Sequence, residues 1–421
     1  MKVLIIGSGG REHSLCLSIK KSKKVNEIFC IPGNAGTKMI AKNYDLDLND
    51  FKQVLSFIKK NDINIVIIGP EKPLVKGLVN FLEKNHIKVF GPNQYASRLE
   101  GSKIFTKKIC DKFKIPTAKY KLANNKNEAF KFLIKSKFPI VVKADGLASG
   151  KGVYICNDKI EYETAINEIF DGKFGKSKEV LIEEFLNGEE MSFFIISDGK
   201  TFKFFGTAQD HKKIYEGDKG KNTGGMGAYS PSRLENIKIK KKIIKKIIEP
   251  TLKYLKNNGN EFKGFLYAGL MIVKNEPYLI EYNVRMGDPE CQTILPRLKT
   301  DFFEIIKACL DQKLDKINIE WSENLSLCIV LCSKGYPDKY KNNLIIKNLK
   351  NITLSHKEFI FHAGTKMINR KIFSNGGRVL NFTVISKSFK KSRSRAINLI
   401  KKLNWSNGFF RKDIGYKVIE K

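Results

Sequence analysis

Apolar residues in the first hundred positions form short runs, and stretches with helical spacing separate them. Each run ends in glycine or proline: Val3–Ile6, Ile28–Ile31, Ile63–Ile68 and Val89-Phe90. Short apolar runs that alternate with helices are typical of a parallel sheet that is buried on both faces. The pattern predicts an N-terminal doubly wound α/β domain, with one of its helices over Val75–Leu82.

Further along the chain the pattern acquires hairpins. Phe193–Ile196 and Phe202–Thr207 alternate around a short turn, as in an antiparallel pair. Glu216–Tyr229 is rich in glycine and poor in apolar residues, which predicts a mobile loop. A third block, with several short strands and glycine turns, starts near Leu325. The sequence therefore predicts a central α+β block and a small C-terminal α/β block.

Composition agrees with several folded domains and excludes a disordered chain. The 421 residues are 42% apolar and 29% charged, which is enough apolar material for sizeable cores. Lys+Arg 77 against Asp+Glu 43 gives a formal net charge of +34. Such a strongly positive charge suggests nucleic acid or an anionic membrane as a partner. The excess is mostly lysine, and the chain is also rich in Ile, Asn, Phe and Tyr, which all have A/T-rich codons. A genome of low G+C content, which favours lysine, is therefore the alternative explanation.

Cysteine usage and the N-terminus predict the compartment. The eight cysteines form no C-x-x-C pair, and most lie within apolar runs, as reduced and buried cysteines do. The apolar run before Gly7 is too short for a signal peptide, and no other run approaches the length of a membrane span. We therefore expect a cytoplasmic protein without a membrane partner.

The first glycine-rich turn, from Gly7 to Glu12, follows a strand and opens a helix. Backbone N–H groups at such a helix start suit an anion. The turn is not a dinucleotide fingerprint, because Glu12 stands where G-x-G-x-x-G has its third glycine. The second strand runs into Pro32 to Thr37 without an acid for a ribose diol. A phosphate monoester is the predicted ligand, and a tight turn without ligand is the alternative.

A second glycine-rich loop runs from Lys143 to Gly152. Too few residues separate Gly146 from Gly150 for a Walker A motif, and Gly152 replaces the hydroxyl residue of that motif. Lys143 and Lys151 nevertheless flank the loop. Lysine charge and glycine N–H groups can together cover a polyphosphate, whereas a basic loop in a lysine-rich protein is the alternative.

An alternating strand near residue 283 carries the third candidate site. Glu281, Asn283 and Arg285 share one face, because successive side chains of a strand point to opposite sides. Carboxylate and amide oxygens suit Mg²⁺, and the arginine can clamp a phosphoryl group in transfer. A solvated polar face is the alternative.

The segment from Asn222 to Pro231 completes the set of candidate sites. Its glycines among small polar residues fit a lid that excludes water from a reaction. Together the four segments predict a phosphate site on one α/β domain and a nucleotide-plus-Mg²⁺ site on another. The residues by themselves thus indicate an enzyme that uses ATP to activate a substrate.

A series of motifs, in this order over nearly the whole chain, resembles the phosphoribosylamine–glycine ligase family (glycinamide ribonucleotide synthetases), ATP-grasp enzymes of purine synthesis. The motifs are Gly9 to His13, Pro32 to Thr37, Gly69 to Glu71, Pro73 to Val75, Glu100 to Lys103, Lys143 to Gly152, Gln209 to Lys212, Asn222 to Pro231, Gly264 to Gly269, Arg285 to Glu290, His362 to Thr365, Asn375 to Val379 and Arg411 to Gly415.

The resemblance implies three domains and a reaction. Residues 1–101 would form a Rossmann-like (pre-ATP-grasp) domain that binds phosphoribosylamine, 102–320 an ATP-grasp domain and 321–421 a C-terminal domain. ATP, glycine and 5-phosphoribosylamine would give glycinamide ribonucleotide, ADP and phosphate through glycyl phosphate, with Mg²⁺ or Mn²⁺. It also implies a monomer without a specific nucleic-acid partner, and it leaves open a transient contact with the upstream amidophosphoribosyltransferase.

The resemblance also implies the role of each site residue. The residues implied to contact ATP are Lys103, Lys143, Gly150, Lys151, Gly152, Glu183, Glu184, Phe185, Leu186 and Glu189, of which the last would hold the ribose hydroxyls. Those implied to contact phosphoribosylamine are Gly9, Gly10, Arg11, Asn34, Ala35, Gly36, Thr37 and Glu71. Glu281 and Asn283 match the metal ligands, Arg285 and Lys151 would act on the transferred phosphoryl group, and the glycine pocket would lie near Asp210, Gly225 and Asp288.

One departure from the family pattern lies before the lid. The family has acid-x-acid-Thr-Gly-Pro-Asn, whereas this chain has lysines at Lys219 and Lys221 and no proline between Glu216 and Asn222. Loss of the proline and gain of two lysines should loosen the lid or change its charge.

Two other functions remain as alternatives at this stage. A carboxylase-type ATP-grasp enzyme that acts on aminoimidazole ribonucleotide would share the fold and the ATP site. A nucleic-acid-binding protein would explain the net charge. Against the latter, the basic stretches Ile237–Ile248 and Lys390–Leu403 have apolar residues at helical spacing, so their lysines are expected on the solvated faces of amphipathic helices.

Overall fold

The computed structural model describes residues 1–133, 137–147, 152–175 and 179–419. The strands of the N-terminal part are Lys2–Gly7 (β1), Glu27–Pro32 (β2), Lys42–Asn43 (β3), Ile65–Ile68 (β4) and Lys88–Phe90 (β5). Its helices are Gly10–Lys20 (α1), Phe51–Lys60 (α2), Glu71–Val75 (α3), Leu78–Lys84 (α4) and Gln94–Gly101 (α5). All pairs of strands are parallel, in the order β3-β2-β1-β4-β5. The predicted doubly wound domain is confirmed.

Strand β1 explains why the first apolar run is continuous. Leu4 and Ile6 lie in the same buried cluster as residues of α2 and α4. Val3 and Ile5 point to the opposite face and pack in a cluster with residues of α1. Because helices cover both faces of the sheet, every position of the strand has to be apolar.

The single helix predicted over Val75–Leu82 is wrong, because the structure has two short helices there. The first, α3, ends at Val75, and the second, α4, begins at Leu78. Gly77 between them has a φ of 87°, a backbone conformation that glycine adopts without steric cost. The apolar spacing continues across the break, which is why the sequence pattern resembled one helix.

The next part of the chain contains three helices and a small antiparallel sheet. Its elements are Lys103–Phe113 (α6), Tyr120–Ala123 (β6), Lys126–Leu133 (α7), Ile140–Ala144 (β7), Val153–Cys156 (β8), Lys159–Phe170 (α8) and Val180–Glu184 (β9). The strand order is β6-β9-β7-β8. Side chains from the sheet, α7 and α8 form a separate buried cluster.

A large sheet joins the rest of the chain. The central part of the chain contains the strands Glu189–Asp198 (β10), Phe202–Asp210 (β11), Lys213–Tyr215 (β12), Lys219–Asn222 (β13), Gly227–Ser230 (β14), Lys263–Val273 (β15) and Glu276–Asn283 (β16). Of these, β12 and β13 pair with each other in a separate two-stranded sheet. The helices between and after them are Ile237–Ile243 (α9), Glu249–Asn257 (α10), Glu290–Ile294 (α11) and Phe302–Leu310 (α12). Strands β10 and β11 pair antiparallel, so the predicted hairpin is confirmed.

The C-terminal part extends this sheet. Its elements are Leu325–Ser333 (β17), Glu358–His362 (β18), Thr365–Ile368 (β19), Lys371–Ser374 (β20), Arg378–Ser386 (β21), Phe389–Leu403 (α13), Gly408–Phe409 (β22) and Tyr416–Ile419 (α14). The order of the nine-stranded sheet is β16-β15-β10-β11-β14-β17-β21-β18, with β22 beside β17. Because β14 pairs with β17, the backbone of the central part is hydrogen-bonded directly to the C-terminal part.

The expectation of a mobile loop over Glu216–Tyr229 is wrong for much of that stretch. Strands β12 and β13 form a hairpin, and every residue of β14 is buried between β11 and β17. Gly227 has a φ of 159°, and a Cβ there would lie 2.5 Å from the carbonyl oxygen of Cys328. Glycine at this position therefore permits a close approach of two strands and does not mark a free loop.

The two basic stretches lie as expected on amphipathic helices. Ile243, Ile247 and Ile248 are fully buried, with Ile244–Ile248 forming a π-helical turn between α9 and α10. In α13, Ala396 and Leu399 are buried. The neighbouring lysines are mostly exposed, so they cover solvated helix faces.

All eight cysteines are buried and free, as the sequence predicts. Among the residues that the structure describes, no helix combines the length and the apolar composition that crossing a membrane requires.

We expect Phe382→Ala to lower the free energy of unfolding by about 3–5 kcal/mol, because deletion of a buried aromatic ring leaves a cavity. Phe382 is fully buried in β21, opposite Ile329 and Ile360. Urea denaturation followed by circular dichroism measures the change. The exposed Lys371→Ala is the control, and a loss below about 1 kcal/mol for Phe382→Ala would contradict this packing.

Candidate active site

A cavity of about 890 Å³ lies where the N-terminal part, the small antiparallel sheet, the central part and the C-terminal part meet. Most of the residues that the sequence implicated line it. They are Gly9, Arg11, Glu71, Lys103, Lys143, Gly152, Glu183, Glu184, Phe185, Leu186, Glu189, Asp210, Glu281, Asn283, Arg285 and Asp288. Gly150 and Lys151 lie outside the described residues.

The first turn is held from within by Glu12. Its carboxylate accepts hydrogen bonds from the Gly9 N–H at 2.6 Å and from Nε of Arg11 at 2.6 Å. A Cβ at Gly69 would lie only 2.0 Å from Oε1 of Glu12, so this carboxylate fills the space between the first and fourth strands. The residue that breaks the dinucleotide motif therefore closes the turn, and Arg11 stays beside the cavity as a buried cation.

The segment from Asn34 to Thr37 lies behind that turn and does not line the cavity. Oδ1 of Asn34 accepts from the N–H groups of Gly36 and Thr37 at 2.8 and 3.0 Å, and Nδ2 donates to the carbonyl of Ser8 at 2.8 Å and to that of His362 at 2.8 Å. The Asn34 side chain thus joins two glycine loops to the C-terminal part.

Gly10 is also away from the cavity wall. A Cβ at this position would lie 2.3 Å from Nδ2 of Asn381 in the C-terminal part. Two parts of the chain pack so closely at this position that a larger side chain would not fit. The sequence motif does not distinguish such a packing glycine from one that contacts a ligand.

A buried charge cluster forms the wall near β7 and β9. Glu183 pairs with Lys143 and, at 2.5 Å, with Lys107. Burial by itself would raise the pKa of Glu183, but Lys143 and Lys107 bring it below its usual range. Burial lowers the pKa of the neighbouring Lys103 amine. The sequence analysis did not predict Lys107. This lysine follows Lys103 by one helical turn, but the spacing indicates a site residue only when the fold shows that this face of the helix borders the cavity.

The segment after β9 borders the cavity with both polar and apolar groups. Phe185 is 37% exposed, so its ring is available to a flat apolar ligand. Glu184 accepts a hydrogen bond from the Lys119 N–H at 2.9 Å. Glu189 accepts from Nε2 of Gln209 and from Nε of Arg233, each at 2.7 Å. The sequence implied Glu189 but not its arginine partner.

Glu281 and Asn283 share one face of β16 and both line the cavity. Oε1 of Glu281 lies 3.8 Å from Nζ of Lys212, too far for a hydrogen bond. Burial opposes ionisation of Glu281, but Lys212, Lys143 and Lys103 lower its pKa. An ionised carboxylate beside an amide oxygen is a donor set that suits a hard divalent cation.

Arg285 follows the same strand and lies beside two acids. Nη2 donates to Oε1 of Glu100 at 2.7 Å, and Nε lies 3.3 Å from Oε2 of Glu71. Both acids come from the N-terminal part. Burial favours the neutral guanidine, but these carboxylates outweigh it and raise the pKa of Arg285. Burial raises the pKa of Glu100 to about 7.

Asp288, in the central part, contacts both the N-terminal and the C-terminal part. Oδ2 accepts from the Arg11 N–H at 3.3 Å, and Oδ1 accepts from Nε2 of Gln292 at 2.7 Å. Arg378, from β21, donates from Nη1 to the Asp288 carbonyl at 2.5 Å and also to the Gly224 carbonyl. The sequence motif that contains Arg378 was recognised, but only the fold places this side chain in the cavity wall.

Asp210 is a buried acid near the glycine-rich segment. Its Oδ1 is buried without a hydrogen-bond partner in the described part of the chain. Burial and the charge of Glu290 raise the pKa of Asp210 well above its usual range. Gly225 is adjacent, since a Cβ there would lie 2.8 Å from Oδ1 of Asp210. This corner therefore offers a carboxyl oxygen that is free to accept a hydrogen bond.

The chain matches the three sequence models of the family described as phosphoribosylglycinamide synthetase. The N domain matches residues 1–100, the ATP-grasp (A) domain residues 101–291 and the C domain residues 326–417. The chain belongs to the phosphoribosylglycinamide synthetase family. Members of this family use ATP on an ATP-grasp fold, which is the chemistry that the charged cavity fits.

Relatives in this family cover the chain from end to end. The phosphoribosylamine–glycine ligase of Agrobacterium fabrum is 46% identical over 420 residues, 100% of this chain and 99% of that protein. The enzyme of the same name from Brucella melitensis is 42% identical over 422 residues, with 100% and 99% covered. The crystal structure of phosphoribosylamine–glycine ligase from Thermotoga maritima has a TM-score of 0.85, with 32% identity over 99% of this chain and 100% of that one.

The departure from the family pattern lies on the hairpin of β12 and β13. Nζ of Lys221 pairs with Asp338 of the C-terminal part at 2.8 Å. Asp218, on the turn, pairs with Arg411 at 2.9 Å and with Lys417 at 2.7 Å. One of the two added lysines therefore gives this synthetase an additional contact between hairpin and C-terminal part.

We expect Arg378→Lys to lower kcat/KM by about 10-fold or more, the equivalent of about 1.4 kcal/mol. A lysine cannot reproduce the planar guanidinium that holds Gly224 and Asp288 together. Steady-state ADP release is the measurement. Arg370→Lys, at an exposed turn, is the matched control, and equal activity of the two variants would show that the Arg378 contact has no role in turnover.

Proposed function

We propose that the chain is a phosphoribosylamine–glycine ligase, which joins glycine to 5-phosphoribosylamine and forms glycinamide ribonucleotide, ADP and phosphate. The observation that carries this proposal is its similarity, over the full length, to enzymes of that name. The cavity supports it, because anionic substrates require the buried cations found there. The reaction belongs to purine biosynthesis.

The chemistry needs an activated carboxylate. An oxygen of the glycine carboxylate attacks the γ-phosphorus of ATP, the bond to the bridging oxygen breaks, and glycyl phosphate and ADP form. The amine of phosphoribosylamine then attacks the carbonyl carbon, phosphate leaves, and the nitrogen loses a proton. Such catalysis consists mainly of positioning and charge neutralisation.

We assign the ATP phosphates to Lys103, Lys143 and the loop with Gly150, Lys151 and Gly152. Lys103 and Lys143 lie around the charge cluster near β7 and β9, close to the proposed transfer site. Arg285, with Lys151, would neutralise the phosphoryl group during transfer. The segment Glu183–Leu186 would border the adenine, where the exposed ring of Phe185 is a suitable apolar surface, and Glu189 would accept hydrogen bonds from the ribose hydroxyls.

We assign the divalent cation to Glu281 and Asn283. The available oxygen of Glu281 and the amide oxygen of Asn283 fit Mg²⁺ or Mn²⁺. When bound, the cation would neutralise negative charge on the phosphate oxygens. The lysines around Glu281 keep it ionised and so keep it able to bind the cation.

We assign phosphoribosylamine to the N-terminal part, residues 1–101, with the ATP-grasp domain at 102–320 and the C-terminal domain at 321–421. Gly9 and Arg11 would receive the 5-phosphate, Glu71 would meet the sugar, and Gly10 with Asn34 to Thr37 would support that turn from behind. The glycine ammonium would lie near Asp210, Gly225 and Asp288, where a buried carboxylate has an oxygen without a partner.

We propose that the enzyme acts as a monomer. Because phosphoribosylamine is unstable, a transient contact with the upstream amidophosphoribosyltransferase would protect it. The positive field of a chain with net charge +34 would attract the anionic substrates.

Each alternative has weaker support than the glycine ligase. A carboxylase-type enzyme would share the fold and the ATP site, but the relatives that are 42% and 46% identical over the full length are named as glycine ligases. A nucleic-acid function rested on the net charge, and the two basic stretches are the solvated faces of packed helices.

The test of the proposed function is ADP release with freshly made phosphoribosylamine. We expect release that requires glycine and yields glycinamide ribonucleotide, because the carboxylate of glycine is the group to be activated. A coupled assay follows ADP, and mass spectrometry identifies the product. ADP release that requires bicarbonate and not glycine would overturn the proposal.

We expect Glu281→Ala to abolish turnover, because it removes a carboxylate from the proposed cation site. The measurement is ADP release over a range of Mg²⁺ concentrations. Glu276→Ala, an exposed acid on the same strand that pairs with two surface lysines, is the matched control. A near-normal rate for Glu281→Ala at saturating Mg²⁺ would show that the cation binds elsewhere.

A further inference from the structure

Glu100 is a buried carboxylate that the proposed chemistry does not use. It lies at the end of α5, in the N-terminal part, and its side chain is 7% exposed. Oε1 accepts from Nη2 of Arg285 at 2.7 Å, and Oε2 accepts from the backbone N–H of Val284 at 2.8 Å. One carboxylate therefore holds both the side chain of Arg285 and the backbone just before it.

These two contacts fix the direction of the guanidinium. A backbone contact at Val284 fixes where the side chain of Arg285 starts, and the contact at Nη2 fixes where it ends. Nη1 donates to the carbonyl of Met286 at 3.2 Å, and Nε faces Glu71. The charged groups facing Glu100 are Arg285, Glu71, Arg11 and Lys103. Among these, Arg285 is the one that donates a hydrogen bond to it.

We propose that Glu100 is a positioning residue for phosphoryl transfer, which acts by orienting the guanidinium of Arg285 in the cavity. This inference rests on the function proposed above. It makes an acid of the phosphoribosylamine-binding part responsible for the geometry of a cation in the ATP-grasp part. A flexible arginine would have to be ordered during each turnover, whereas Glu100 orders it beforehand.

Glu100→Gln separates this role from simple packing. The amide oxygen of glutamine can still accept from the Val284 N–H, but its NH₂ group then faces the guanidinium and the charged acceptor is lost. We expect kcat to fall about 10- to 100-fold, the range for loss of a charge-assisted hydrogen bond. We expect KM for ATP and for glycine to change less than about 3-fold, because Glu100 binds neither substrate. Glu100→Asp keeps the charge and should recover much of kcat.

Glu83→Gln is the matched control. Glu83 also belongs to the N-terminal part and pairs across to a strand of the large sheet, at Lys263, but on the surface and away from the cavity. We expect this variant to have the kcat of the wild type. Thermal denaturation of all variants should give midpoints close to that of the wild type.

A double-mutant cycle tests whether Glu100 acts through Arg285. If it does, Glu100→Gln should have little further effect on kcat in the Arg285→Lys background, so the two effects should not add. Full additivity would overturn the inference. An unchanged kcat of Glu100→Gln, or a rise in its KM in place of a fall in kcat, would also overturn it. The same holds if Glu100→Gln and Glu100→Asp lose kcat equally and both have a lowered midpoint of thermal denaturation. If Glu100→Gln does not fold, Glu100→Met, which has a similar volume and no charge, replaces it in the cycle with the same additivity criterion.

The wild-type assay keeps the two proposals distinguishable. If the wild type releases no ADP in response to glycine, the proposed function fails. If the wild type is active and the Glu100 variants match it, only the positioning role fails.

Discussion

The site depends on the compensation of buried charge. An ionised group in the interior is costly unless an opposite charge and hydrogen bonds accompany it. Glu183 lies between Lys107 and Lys143, and Arg285 lies between Glu71 and Glu100. These pairs keep cations beside the cavity before any anionic substrate enters, because each cation is stabilised by an acid that remains behind it.

This compensation requires several parts of the chain to meet. The acids around Arg285 come from the N-terminal part, and Arg378 reaches Asp288 from the C-terminal part. The nine-stranded sheet connects the central and C-terminal parts, since every residue of β14 pairs with a residue of β17. Relative displacement of the parts would break ion pairs as well as strand pairing, so the fold holds the charges of the cavity in one arrangement.

Much of the fold and part of the site could be predicted from the sequence. Local signals were sufficient for β1, for the hairpin of β10 and β11 and for the alternation that places Glu281 and Asn283 on one face. They failed where a contact between distant residues decided the outcome. Gly77 breaks a helix whose apolar spacing continues, and β14 is a buried strand because β11 and β17 flank it. The side chain of Asn34, which the family resemblance assigns to the phosphoribosylamine site, donates to the carbonyls of Ser8 and His362.

The charges of the chain also separate what the sequence determines from what the tertiary structure determines. The sequence by itself determined the excess of +34, the apolar spacing that makes basic stretches into helix faces, and the motifs that assign the family, because these are properties of residue order. Only the tertiary structure added Lys107 and Arg378 to the cations of the cavity and decided which acids hold each cation. Lys107, Glu100 and Arg378 gained their significance from partners that are distant along the chain or contributed by another part of the fold. Electrostatic interactions depend on distance and burial in space, and neither quantity can be read from sequence separation.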